Sequence, residues 1–151
     1  MSSQELEYNI IKTGDTQDKA FIMIHGWQGN KNSFNSIPNL LNIPNCCWFM
    51  PEAPYLVNED PCKRTWAIQK PSGKWEVERP KKMLKSFIKN VVLSQFDACN
   101  TYVMGFSQGA AVCYELILTF DDPFGGIFPI GGFMREFPGQ DDRVEIDFLP
   151  K

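Results

Sequence analysis

Histidine is almost missing from this chain of 151 residues, which carries only His25. A zinc site would have to rest on carboxylates or thiols, and the five cysteines, Cys46, Cys47, Cys62, Cys99 and Cys113, show no C-x-x-C spacing. No metal and no cofactor is therefore expected. Long apolar runs are also lacking. Stretches such as Ala20 to Ile24 fall far short of the roughly 20 residues that span a bilayer, and the opening MSSQELEYN is polar and acidic, unlike a signal peptide. Positive charge is not in excess either. Lys and Arg number 15 against 18 Asp and Glu, a net charge of -3 with a pI of about 5.2, so no basic field gathers nucleic acid or anionic lipid. The odd cysteine count, mostly inside apolar stretches, reads as reduced thiols in a cytoplasmic protein. The short basic run Lys81 to Lys85 reads as a solvated helix face.

What is present is an ordinary core. With 43% hydrophobic residues and no repeat or linker, residues 1–151 are expected to form a single domain. AFIMI at 20–24 and CCWFM at 46–50 are continuous apolar runs, the pattern of strands buried on both faces. TYVMG at 101–105 and GIFPI at 126–130 are two more candidates, the latter despite Pro129. Helical spacing runs from near Pro80 through Met83, Leu84, Phe87, Ile88, Val91 and Val92, and again from Gln108 to Ile117. A third helix is expected over Ser33 to Leu41, with Pro38 counting against it because it removes a backbone donor. Alternating strands and helices of this kind predict an α/β fold, a mostly parallel sheet with helices on both faces. Active sites in such sheets lie at the carboxyl ends of the strands.

Two of those ends carry chemistry. TYVM runs into Gly105-Phe106-Ser107-Gln108-Gly109, a G-x-S-x-G sequence between a strand and a helix. That context lifts a serine above the sheet on a strained turn, and glycine is needed where a side chain would crowd it. Ser107 is the candidate nucleophile, and the amide of Gln108, at the positive end of a helix, is a candidate oxyanion donor. A serine that merely caps the helix is the alternative. AFIMI runs into His25-Gly26-Trp27-Gln28-Gly29, a loop of the kind that supplies a second amide, here that of Trp27. Its glycines fit neither phosphate-binding pattern. His25 precedes the serine, whereas the order in hydrolases of this sheet type is serine, acid, histidine, so it reads as a hydrogen-bonded loop anchor.

FIMIHGWQGN, FMPEAPY at 49–55, TYVMGFSQGAA and PIGGF at 129–133 together resemble the phospholipase/carboxylesterase family of α/β-hydrolases, which includes acyl-protein thioesterases and lysophospholipases. The resemblance covers about residues 19–135. It implies an α/β-hydrolase fold, Ser107 as nucleophile, the Trp27 and Gln108 amides as oxyanion hole, and a small-molecule acyl ester or thioester as substrate. It also implies substrate contacts from Trp66 and Phe133, although core packing is an equal reading for Trp66. Dienelactone-hydrolase-like enzymes are a rival, but their nucleophile is a cysteine.

The mechanism implied is acyl transfer through an acyl-enzyme, and it needs a base. No histidine follows Ser107. The resemblance places acid and histidine after two further units of roughly 30 residues each, so the fold is expected to be incomplete at the C-terminal side, with both groups absent from this chain. Asp141 and Asp142 are expected to be loop carboxylates. GIFPI is then expected to form a sheet edge, and the segment 55–80 a partial lid. The alternative function is a non-catalytic hydrolase-like module that binds an acyl or other small ligand.

Overall fold

The structure, a computed structural model, describes residues 5–132. In chain order the elements are β1 (Tyr8–Thr13), β2 (Lys19–Ile24), α1 (Ile37–Leu41), β3 (Cys46–Pro51), β4 (Tyr55–Val57), β5 (Asp60–Thr65), β6 (Ile68–Gln69), β7 (Trp75–Glu76), α2 (Glu78–Phe87), β8 (Thr101–Phe106), α3 (Gln108–Ile117) and β9 (Gly126–Ile130). The main sheet has five strands in the order β1-β3-β2-β8-β9. β1 runs antiparallel to β3, and the other three pairs are parallel. This is the expected α/β architecture. All four strands expected from apolar runs form; β2 and β3 are apolar throughout because helix or loop covers both faces of the middle of the sheet and leaves no polar face to alternate with, whereas β9 is half-exposed at the edge. Ala20, Ile22, Ile24, Phe49 and Val103 point to one side and pack with Leu84, Phe87, Ile88, Val112 and Leu116 from the α2 and α3 layer. Phe21, Met23, Trp48 and Met50 point to the other, where Phe34, Ile37 and Ile43 around α1 cover them.

Several expectations need correction. The helix expected from Ser33 starts only at Ile37, with Pro38 in its first turn. A proline there gives up an amide that has no intrahelical acceptor in any case, so the residue placed against the helix instead marks its start. The helix near Pro80 begins at Glu78, and past Phe87 it widens into a π-helical turn over Ile88–Val92. The basic run on it is more than a solvated face. The Lys81 side chain is only 19% exposed, and its Nζ lies 2.7 Å from Glu78 and 3.3 Å from Glu115 of α3. Lys85 donates to the carbonyl and hydroxyl of Thr119, each at 3.0 Å. These lysines tie α2 to α3 and to the carbonyl end of α3, where positive charge is favoured. The segment 55–80 forms two small hairpins, β4–β5 and β6–β7. Three of their four strands, β4, β6 and β7, are only two or three residues long and too short for periodicity, but Asn58 and Glu59 at the first turn hold φ of 51° and 60°, the left-handed pair that matches hairpin twist.

β9 is the outer strand of the main sheet among the described residues, and Ile127, Phe128 and Ile130 on it are 39%, 47% and 48% exposed. Phe128 stacks at 5.8 Å on Phe21, which in turn stacks at 5.0 Å on Trp48, so an aromatic row reaches the surface at this edge. An open edge with apolar side chains is a template for association. The 151-residue chain is expected to self-associate at micromolar concentration in sedimentation velocity, and Phe128→Lys with Ile130→Lys to raise the monomer fraction. A wild-type chain that sediments as monomer contradicts this.

Candidate active site

Ser107 lies between β8 and α3 at φ 53°, ψ -115°. A β-carbon makes such a conformation costly, and it persists only where the surroundings impose it. They do so through the backbone. The Ser107 amide donates to the Ile130 carbonyl at 2.8 Å, and its carbonyl accepts from Ala110 and Ala111 at 3.0 and 3.2 Å. Its side chain makes no capping hydrogen bond, which removes the reading of Ser107 as a helix cap. Both glycines of the motif are sterically required. A β-carbon on Gly105 would come under 3.0 Å from the Gly109 carbonyl and the Ala110 backbone, and one on Gly109 under 3.0 Å from the carbonyls of Ile24 and His25. The first turn of α3 is thus pressed against the end of β2. A β-carbon on Gly26 would stand 3.4 Å from the Ser107 Cβ, so the loop after β2 lies directly beside the serine.

That loop is held from outside. Gln28, at φ 65°, donates its amide to the Arg64 carbonyl at 2.9 Å, and the Arg64 amide donates to the Gly29 carbonyl at 2.9 Å. The Trp27 amide makes no backbone hydrogen bond among the described residues. Gln108 is the first residue of α3, where an amide has no intrahelical acceptor. Its carboxamide is bonded at both ends: Oε1 accepts from the Trp66 amide at 3.0 Å, and Nε2 donates to the Thr65 hydroxyl at 2.9 Å. The Thr65 hydroxyl donates onward to the Ala67 carbonyl at 2.9 Å. The glutamine of G-F-S-Q-G therefore joins the serine turn to the end of β5.

His25 is 1% exposed, and both ring nitrogens are taken. Nε2 accepts from the Ala53 amide at 3.0 Å, which puts the proton on Nδ1, donating to the Gly26 carbonyl at 2.7 Å. Burial lowers its pKa below the usual 6.5, and this outweighs the opposing pull of the Gly26 carbonyl and of Glu52. It anchors the loop and has no lone pair to offer Ser107. Trp66 is fully buried in the core cluster and donates from Nε1 to the His25 carbonyl at 2.9 Å. Of its two readings the structure takes packing, because the side chain presents no surface to an acyl chain. Phe133, Asp141 and Asp142 lie outside the described residues. Glu52 escaped the sequence reading. Its buried carboxylate accepts from the Lys31 amide at 3.1 Å and stands 3.4 Å from the Arg64 guanidinium. The available signal was a charged residue directly after the buried strand β3. Burial pushes the Cys46 and Cys113 thiols up to about 12, so neither is a thiolate at neutral pH. A cavity of about 540 Å³ lies between the N-terminal segment and α2, around Leu6, Tyr8 and Phe87, and shares no residue with the serine turn.

Residues 6–140 match the family model described as Phospholipase/Carboxylesterase. No curated protein matches the chain. Among solved structures, esterase PE8 shares 17% identity at a TM-score of 0.72, covering 87% of this chain and 66% of its own. A carboxylesterase of Bacillus cereus shares 17% at 0.63, covering 81% and 57%. A phospholipase/carboxylesterase of Dyadobacter fermentans DSM 18053 shares 20% at 0.60, covering 87% and 63%. At these identities the likeness is one of fold, and the chain spans less than two thirds of the length of each.

The state of His25 gives a pH dependence. Its folded pKa is lowered, so the unfolded chain takes up the proton first as pH falls. Its contribution to stability is complete above about 6.5 and is lost as pH drops from there through the folded value. Denaturation midpoints should fall between pH 7 and 5, and the His25 ring protons should titrate below 6.5 by NMR. Titration at or above 6.5 contradicts the buried neutral ring.

Proposed function

The chain belongs to the phospholipase/carboxylesterase family of α/β-hydrolases, and from that membership we propose that it is a serine esterase or thioesterase that works through an acyl-enzyme on Ser107. The observation that carries this reading is the serine itself, held at φ 53° with its side chain free of any capping bond. A backbone strain of this order, about 1–3 kcal/mol, is retained where the surrounding structure enforces it and clusters at reacting groups.

In the proposed reaction the Ser107 hydroxyl attacks the carbonyl of an acyl ester or thioester, and the alcohol or thiol leaves. Water then releases the acid from the acyl-serine. The negative charge on the tetrahedral oxygen is met by the amides of Trp27 and Gln108, which have no backbone hydrogen-bond partner among the described residues. The half-exposed Trp27, Phe106 and Ile130 offer apolar surface beside the turn for an acyl chain. His25 takes no part as base. The 151 residues contain no other histidine, so proton removal from Ser107 has no imidazole within them.

A second reading, ligand binding without turnover, is favoured by that one observation. Mass mapping after treatment with a fluorophosphonate separates the two. The esterase reading expects one adduct, on the peptide containing Ser107, lost in Ser107→Ala. In the 151-residue chain itself, ester turnover is expected at the level of the Ser107→Ala control and the phosphonate adduct is expected to form slowly, because the hydroxyl has no imidazole to take its proton and only the oxyanion amides and the reactive P–F bond favour attack. Reversible binding of an acyl ester with no adduct on Ser107 supports the binding reading instead.

A further inference from the structure

The two proposed oxyanion amides belong to distant parts of the chain, yet both are fastened to the same three residues. Arg64 holds the loop on one side, accepting from the Gln28 amide and donating to the Gly29 carbonyl, each at 2.9 Å. Two residues further on, the Trp66 amide donates to Oε1 of Gln108 at 3.0 Å. In an extended strand the amide and carbonyl of one residue and the amide two residues later face the same edge. The Gln108 carboxamide therefore continues, as a side chain, the pairing that Gly29 and Arg64 begin with backbone. It is locked there by the Thr65 hydroxyl, which accepts from Nε2 at 2.9 Å and donates to the Ala67 carbonyl. The strap is stiff. Thr65, Trp66 and Ala67 are all buried, β4 pairs along it through Tyr55 and Leu56, and the Trp66 indole is bonded to the carbonyl of His25, the residue that starts the loop.

We propose that the strap Arg64–Thr65–Trp66, gripping the loop by its backbone and the serine turn by the Gln108 carboxamide, sets the spacing between the Trp27 and Gln108 amides, with Thr65 and the Gln108 side chain as positioning residues. The proposal rests on the reading of those amides as the oxyanion hole. Its structural content is narrower, namely that loop and serine turn are mechanically coupled through the strap.

Two measurements test it. The first is amide hydrogen exchange, which needs no activity. In Gln108→Leu the Trp66 amide loses its acceptor directly, but the amides of Gln28 and Arg64 touch neither the old nor the new side chain. Their exchange is expected to rise about tenfold, the scale of one buried hydrogen bond, while core amides of β2 and β3 are unchanged. Faster exchange at Trp66 with Gln28 unaltered means that loop and turn are held separately, and overturns the proposal. Thr65→Val, nearly isosteric, repeats the test should Gln108→Leu not fold. The second is phosphonylation of Ser107 by a fluorophosphonate. Thr65→Val is expected to lower the rate at saturation about tenfold with the half-saturating concentration unchanged, and Thr65→Ser to restore it to within about twofold. An unaltered rate overturns the positioning role. If the wild type takes no label, the esterase reading fails and the exchange coupling still decides the strap.

Discussion

The close approach of the first turn of α3 to the carbonyl end of β2 governs the rest of the site. Nothing larger than hydrogen fits on Gly109, because a β-carbon would run into the carbonyls of Ile24 and His25. A helix that begins this close to a neighbouring strand must leave β8 by a sharp turn, and Gly105 clears the inside of that turn. Ser107 takes the remaining strain, at φ 53°. The small residues Ala110 and Ala111, both buried, allow the helix to stay down on the sheet. Sequence, backbone strain and side-chain placement are thus one constraint seen at three levels.

Burying that junction leaves polar groups that must find partners, and they find them in one another. The Ala53 amide ends β3 on the His25 ring, the His25 carbonyl receives the Trp66 indole, and the Trp66 amide receives the Gln108 side chain. Four chain segments that meet only at the strand ends are joined by three hydrogen bonds. Among the described residues no buried side-chain nitrogen or oxygen is left without a partner. A satisfied network of this kind stiffens a site, because each member is costly to unpair in a low-dielectric interior. It also explains why the lone histidine is structural: a ring that accepts from one amide and donates to one carbonyl has no capacity left for proton transfer.

How much of this was legible in the sequence follows from how local each signal is. AFIMI and CCWFM announce themselves because strands buried on both faces are apolar throughout, and TYVMG and GIFPI because they are rich in β-formers, although the GIFPI strand is half-exposed at the sheet edge. β1 does not, since its residues are only half-buried or exposed at an antiparallel edge. The serine turn is legible because its two glycines are dictated by contacts at fixed spacing. Trp66 is ambiguous, because a tryptophan in a pocket wall and one in a core look alike until its neighbours are known. The roles of Glu52, Thr65 and the Gln108 carboxamide depend on partners 21 to 43 positions away, and no periodicity encodes them. Pro38 and the lysines of α2 show the same limit: their effect depends on where the helix starts and on what packs beside it.

The most direct test of the central claim, that the serine turn and the loop after β2 form one oxyanion site, is the structure of the protein with a phosphonate on Ser107. The phosphoryl oxygen should lie about 2.7–3.1 Å from the amide nitrogens of both Trp27 and Gln108. An adduct whose oxygen turns to solvent, or meets only one of those amides, would contradict the account.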